Sequence, residues 1–185
     1  MSLRIIAGSL GGRRIQAPSG SGTRPTREAV REAWFNVIGE RICGARVLDL
    51  YAGSGALGFE ALSRGAASVR FVESDRRVLR VLRVNVEELG VGDRADVMAR
   101  DALAVVRGLS RGVGRDWDVV LADPPYASPQ VSVLVSTFAE DPFADMLCVE
   151  HASGVRFGLE PDWNRRYGDT ALSIFFDPAE GAIDG

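Results

Sequence analysis

Short runs of branched apolar residues alternate along most of this chain with longer stretches whose apolar positions recur every three or four residues. That is the pattern of strands followed by helices. Val47-Leu48-Asp49-Leu50 reads as a strand, and residues 56–64 as the helix after it. Ser68-Val69-Arg70-Phe71-Val72-Glu73 is the next strand, followed by a long amphipathic helix over roughly residues 76–89. A third strand near 95–99 precedes a helix near 102–109. Trp117-Asp118-Val119-Val120-Leu121-Ala122 is a run of the kind buried on both faces, with a helix over about 129–139 behind it. The strand Met146-Leu147-Cys148-Val149-Glu150 and two closing strands, near Arg156-Phe157 and over 171–176, complete the series. Strict alternation of this kind predicts an α/β fold: a doubly wound, mostly parallel, seven-stranded sheet of Rossmann-like type.

The first 46 residues follow a different rhythm. Leu3-Arg4-Ile5-Ile6-Ala7 and Arg13-Arg14-Ile15-Gln16, separated by Gly8-Ser9-Leu10-Gly11-Gly12, predict a hairpin. Pro18-Ser19-Gly20-Ser21-Gly22 reads as a flexible joint, and Pro25 can open a helix whose apolar stripe is Val30, Ala33, Trp34, Val37 and Ile38. Residues 1–24 are therefore expected to form an appendage, and residues 25–185 the main domain. Arg24, Arg27 and Arg31 are spaced three and four apart, so they align along one flank of that helix.

A length of 185 residues suits one domain, and 46% apolar with 25% charged residues is the composition of an ordinary globular protein. No apolar run has the length of a membrane span and the first residues do not read as a signal peptide, so a cytoplasmic protein is expected. Cys43 and Cys148 lack metal or redox spacing, and His151 is the single histidine, which excludes a zinc cluster. The net charge of −3 is unevenly distributed. Residues 1–46 carry eight Arg against three Glu, whereas residues 47–185 carry fourteen Arg against twenty-two acids. A basic partner surface is thus expected in the N-terminal quarter, where Arg13, Arg14, Arg24 and Arg31 lie.

Gly53-Ser54-Gly55-Ala56-Leu57-Gly58 matches G-x-G-x-x-G between a strand and a helix, with Glu73 twenty positions on at the end of the next strand. The spacing fits an adenosine-type cofactor whose ribose diol meets the acid. Asp49, four residues before Gly53, would repel a pyrophosphate but attract a ligand carrying ammonium and sulfonium charges, as S-adenosylmethionine does. Asp101 either accepts from an adenine amino group or caps the helix opening at Ala102, and the two roles are compatible.

Asp123-Pro124-Pro125-Tyr126 closes the buried run at the sheet edge where open α/β folds bind ligands. Two prolines stiffen the turn and remove two N–H groups, leaving carbonyls to accept. One reading is a stiff loop alone. The other is a clamp for a flat ligand with an exocyclic amino group, held by Asp123 and the Pro124 carbonyl and stacked on Tyr126.

Together these motifs resemble class I S-adenosylmethionine-dependent methyltransferases of the amino-methylating kind, through D-L-Y-A-G-S-G-A-L-G and D-P-P-Y. More narrowly, the chain resembles the bacterial family that methylates N2 of a guanine in 16S ribosomal RNA. That likeness runs through R-I-I-A-G, R-P-T, R-E-A-W-F-N, G-S-G-A-L-G-F-E-A-L-S-R-G-A, D-P-P-Y and C-V-E-H. It departs from the family at Arg27-Glu28. The resemblance implies cofactor contacts from Asp49, Gly53, Ser54, Gly55, Glu73, Asp101 and Ala102, and base contacts from Asp123, Pro124 and Tyr126. It implies RNA contacts from the N-terminal segment, with Arg13, Arg14, Arg24, Thr26 and Arg31 as candidates. A metal-free monomer is expected, acting on 16S rRNA in a partly or fully assembled small subunit. The rivals are an adenine-N6 methyltransferase, disfavoured by the lack of room for a target-recognition domain, and a protein glutamine methyltransferase, disfavoured by Asp123. A nicotinamide oxidoreductase is opposed by Asp49 and the Asp-Pro-Pro-Tyr loop, and a non-catalytic RNA-binding protein by the four strand-end acids.

Overall fold

A computed structural model describes residues 2–18, 25–109, 116–125 and 129–179. The joint beyond Pro18, Arg24 and Tyr126 lie outside them, as do the side chains of Thr26 and Arg27. The N-terminal hairpin is present as β1 (Ser2–Arg4) and β2 (Arg14–Gln16), antiparallel with Leu3 opposite Ile15. Helix α1 (Pro25–Ile38) and a short 3-10 turn (Gly39–Ile42) lead into the sheet. In chain order follow β3 (Arg46–Leu50), α2 (Ala56–Ser63), β4 (Ser68–Glu73), α3 (Arg76–Leu89), β5 (Ala95–Ala99), α4 (Ala102–Leu109) and β6 (Val119–Ala122). Helix α5 (Gln130–Glu140) and strands β7 (Met146–Ala152), β8 (Trp163–Tyr167) and β9 (Thr170–Phe176) complete the described elements.

The seven-stranded sheet has the order β5-β4-β3-β6-β7-β9-β8. Its first five strands are parallel, and β9 runs antiparallel to both β7 and β8. The strand order reverses between β3 and β6, so their carboxyl ends flank the crevice where doubly wound folds bind ligands.

Because successive strand residues point to opposite faces, one run supplies two cores. Val47, Val69, Phe71, Val119 and Leu121 pack under α1, α2 and α3, through Trp34, Phe35, Phe59, Leu62 and Leu82. Leu48, Leu50, Val72, Val120 and Ala122 pack under α4 and α5, through Val106, Leu134, Val135 and Phe138. Trp34 and Phe35 are thus core residues. Their burial contributes on the order of 2–3 kcal/mol each.

The closing strands depart from the periodicity reading. Residues near Arg156-Phe157 form no strand; β8 lies seven residues later, at Trp163-Asn164-Arg165-Arg166-Tyr167. It is the outermost strand, paired with β9 alone through a tight turn at Gly168, and Asn164, Arg165 and Arg166 are exposed. An edge strand with three consecutive exposed polar residues leaves no apolar alternation to detect. Phe157 instead packs edge-on against His151 and Phe175, with ring centroids 4.8 and 5.5 Å away.

The hairpin is fastened to the body at several points. Ile5 and Ile15 are buried in the larger core. Glu60 of α2, fully buried, accepts from the N–H groups of Ile6 (2.7 Å) and Ala7 (3.1 Å) and from Arg64 Nε (2.8 Å). Ser63 accepts from Leu10 N at 2.9 Å and donates to the Ala7 carbonyl. Asn85 of α3, also fully buried, exchanges two bonds with the Gln16 backbone, 2.8 Å from its N–H and 3.0 Å to its carbonyl.

Candidate active site

Leu50 ends β3, and the chain turns at once: Tyr51 has φ 59°, a left-handed backbone that few non-glycine residues adopt. The glycine loop then leans on the end of β4, with Ala52 N–H donating to Val72 O (3.0 Å) and Gly53 N–H to Glu73 Oε2 (3.0 Å). Gly55, at φ 87°, opens α2 without a side-chain cap. A Cβ on Gly55 would overlap the Phe59 ring, and one on Gly58 would overlap Phe71. The loop's glycines therefore let α2 settle onto β4.

Asp49 lies one residue before the end of β3 and is 1% exposed. One of its oxygens accepts from the Gly58 N–H at 2.9 Å. Burial pushes its pKa from 3.8 up to about 8; the Gly58 bond opposes the rise, and Asp123 and Glu73 add to it. Glu73, the last residue of β4, accepts from three N–H groups, those of Gly53, Ser74 (2.7 Å) and Asp75 (2.8 Å). Asp101 follows β5 and accepts from Ala104 N–H at 2.9 Å, the helix-cap geometry expected of it. Asp123 follows β6 and is exposed, whereas Pro124 behind it is buried.

All four acids thus stand at the carboxyl ends of adjacent strands. Glu73, Asp101, Asp123 and Pro125 line one cleft of about 270 Å³, together with Tyr51, Val72, Ser74, Arg100, Ala102 and Gln130. Asp49 lies behind this lining, close enough to Glu73 and Asp123 to feel both charges. A slightly larger hollow of about 320 Å³ opens elsewhere, beside Phe138, Leu159 and Phe176. Phe176 pairs with Met146 at the start of β7, so this second hollow lies at the amino ends of the parallel strands. There Asp162 is already engaged by the Phe176 N–H and Asp177 by the Ala179 N–H. We take the first cleft as the site because it gathers the strand-end acids.

The basic candidates are dispersed. Arg13 donates to the carbonyls of Leu89 (2.9 Å) and Glu88 (2.5 Å), capping the end of α3. Arg31 is 7% exposed and donates to Arg4 O at 2.7 Å, with Glu60 at 3.9 Å. Arg14 is exposed and reaches Ser2 Oγ at 3.3 Å. His151 bonds Ala152 O through Nδ1 and Ser173 Oγ through Nε2, and burial lowers its pKa.

Three residues matter here that periodicity does not single out. Asn85 Nδ2 also donates to Ser54 O at 2.9 Å, so one side chain ties the hairpin to the glycine loop. The Tyr51 hydroxyl is buried against the cleft with no partner among the described residues, and burial followed by the charge of Asp101 pushes its pKa up to about 12. Glu60 fastens the N-terminal segment to α2. For Asn85 a signal exists: it is a polar residue in register with the buried stripe of α3.

Comparison with known proteins agrees with this architecture. Residues 3–157 match the family model described as Conserved hypothetical protein 95. The Ribosomal RNA small subunit methyltransferase D of Escherichia coli (strain K12) is 33% identical over 190 residues, covering 98% of this chain and 93% of that protein. A solved Escherichia coli structure superposes with a TM-score of 0.80 at 31% identity, over 94% of this chain and 97% of the other. At the level of fold alone, an RNA methyltransferase from Salinibacter ruber in complex with S-adenosyl-L-homocysteine aligns with a TM-score of 0.63 at 18% identity, over 88% of this chain and 97% of that one. Sheet order, strand-end acids and near full-length similarity agree, and the chain belongs to the Conserved hypothetical protein 95 family, with the ribosomal RNA small subunit methyltransferase D proteins as its relatives.

Proposed function

We propose that this protein transfers a methyl group from S-adenosylmethionine to the exocyclic N2 of a guanine in 16S rRNA, within an assembling or assembled small subunit in the cytoplasm. The observation that carries the reading is the convergence of Glu73, Asp101 and Asp123 on one cleft, with the Asp-Pro-Pro turn at its lip, in a chain of this family. The residues suit the cofactor. Asp49 is a buried carboxyl held protonated by burial and by two neighbouring acids, and an ammonium brought close would relieve that strain by restoring its charge. Glu73 would accept from a ribose diol and Asp101 from an adenine amino group. When bound, S-adenosylmethionine supplies an electrophilic methyl group on a sulfonium.

The amino group of guanine is a poor nucleophile because its lone pair is delocalised into the ring. A carboxylate of ordinary basicity cannot remove its proton outright. Asp123 and the Pro124 carbonyl instead accept its two N–H bonds, turn the nitrogen and aim its lone pair into the cleft. Catalysis is then positioning and electrostatics. Pro125 has no N–H to compete for those acceptors. The base must be unpaired to enter, which favours a loop over a duplex. Tyr126, outside the described residues, is assigned the stacking role by its place in the motif.

The test is tritium transfer from labelled cofactor to 16S rRNA, free and in small subunits from a strain lacking the enzyme, followed by nucleoside mapping. Label in N2-methylguanosine is expected. Asp123→Ala should abolish transfer while cofactor affinity stays within a few-fold. Transfer by Asp123→Ala at near wild-type rate, or label in adenosine, would overturn the assignment.

A further inference from the structure

The outer side of α3 carries four exposed arginines, Arg76, Arg77, Arg80 and Arg83. Leu79, Leu82, Asn85 and Leu89 define its buried side. Positions 76, 80 and 83 are four and three apart, so they form one stripe about 10 Å long at the helical rise. Among the described residues no ion pair includes any of the four, whereas Arg46, Arg64 and Arg70 are paired with Asp118, Glu60 and Asp96.

This arrangement opposes helix stability. Cations in a first turn face the positive end of the helix dipole, and like charges three and four apart repel. The first turn of α3 contains no acid. Asp75 offsets part of the repulsion: its carboxylate accepts from the N–H groups of Arg77 and Val78 and feels the charges of Arg77 and Arg80. A cluster that the fold disfavours is best explained by a ligand that it favours.

The stripe begins at the cleft. Glu73 and Ser74 line the cleft, and α3 starts two residues later. Arg100, exposed on the same rim, donates its N–H to Glu73 O at 3.1 Å. We propose that Arg76, Arg80 and Arg83, with Arg77 and Arg100 beside them, form a phosphate track that holds the RNA backbone flanking the base in the cleft. Three guanidinium groups in line can each take one phosphate of the strand. The track rests on the RNA-methylating reading and adds a surface to it, at the cleft end of the helix whose opposite end meets the N-terminal hairpin.

The experiment measures binding of a 16S rRNA fragment between 50 and 200 mM salt for four proteins. These are the wild type, R76Q/R80Q/R83Q, R76K/R80K/R83K, and R165Q/R166Q, which removes exposed charge from the far sheet edge. Removing three phosphate contacts to a single strand lowers the slope of log K against log salt by about two, so the wild type should lose about 20-fold more affinity across that range than the triple Gln variant. The triple Lys variant and R165Q/R166Q should keep the wild-type slope, and cofactor affinity should be the same in all four. An unchanged slope in the triple Gln protein, with wild-type methylation intact, overturns the track and leaves the enzyme assignment standing. A wild type that neither binds nor methylates the RNA overturns both.

Discussion

Replacing Asp49 by Asn separates the fold's interest from the site's. Asp49 is buried, and burial pushes its pKa up to about 8, against 3.8 unperturbed. Below about pH 4 both folded and unfolded chains hold this proton. Between pH 4 and 8 only the folded chain does, so folding takes up a proton and stability falls as pH rises, by about 1.4 kcal/mol per unit. Above pH 8 both forms are ionised and the penalty is constant. A shift of roughly four units thus lowers wild-type stability by on the order of 5 kcal/mol by pH 8. Asparagine keeps an acceptor for the Gly58 N–H and never ionises. Asp49→Asn should match the wild type near pH 4 and become steadily more stable relative to it up to pH 8. Urea titrations of both proteins at pH 5, 6, 7 and 8 measure the gap. A difference that does not change with pH, or a variant less stable at every pH, would refute the reasoning. Saturating cofactor should reverse the order at pH 7, because binding stabilises the folded state in proportion to affinity and the variant has lost the charge that attracts an ammonium.

Two further substitutions test how the hairpin is held. Glu60→Ala leaves the N–H groups of Ile6 and Ala7 and two guanidinium groups without their buried carboxylate, at a cost of about 3–5 kcal/mol. Hydrogen exchange should show the Ile6 and Ala7 amides losing protection before the central strands, and unchanged protection there would contradict the attachment. Asn85→Asp keeps an acceptor for Gln16 N–H but sets a carboxylate against the carbonyls of Gln16 and Ser54. Stability should fall by about 3 kcal/mol, and calorimetry should show weaker cofactor binding because the glycine loop loses its tether. Wild-type cofactor affinity in a folded Asn85→Asp protein would count against that role.

The parts of this fold that were legible share one property: their signal is local. Runs such as Val119–Ala122 are buried on both faces, so nearly every residue in them is apolar, and each strand-end acid is marked by the run before it. β8 carries no such mark because its environment is solvent on one side and β9 on the other. The arginines carry a different kind of signal. Spacing places Arg31 on a helix flank but does not say what the flank meets, and it meets Arg4 O and Glu60. Arg13 likewise turns to the end of α3. Meanwhile the charge balance of residues 47–185, net acidic as a sum, conceals a basic stripe on α3. Sums over a segment average away a surface that only folding assembles.

The same glycine loop could in principle serve a dinucleotide, and the structure offers a reason to set that reading aside. A pyrophosphate needs the loop's N–H groups and a nearby field of positive sign. Here the Gly53 N–H is given to Glu73, the Gly55 N–H to Ala52 O, and the Gly58 N–H to Asp49. The N–H groups of all three glycines are thus engaged, two of them by carboxylates. The acids are unequally supplied as well. Glu73 is half-buried at the rim and receives three N–H groups, whereas Asp49 receives one and is buried. Burial and its neighbours drive Asp49 toward protonation, and a second anion would raise that pressure further. A cation would remove it. The electrostatics around Asp49 therefore favour a cationic group over a pyrophosphate before any contact to the adenosine is considered, which is the property that separates a sulfonium cofactor from a dinucleotide.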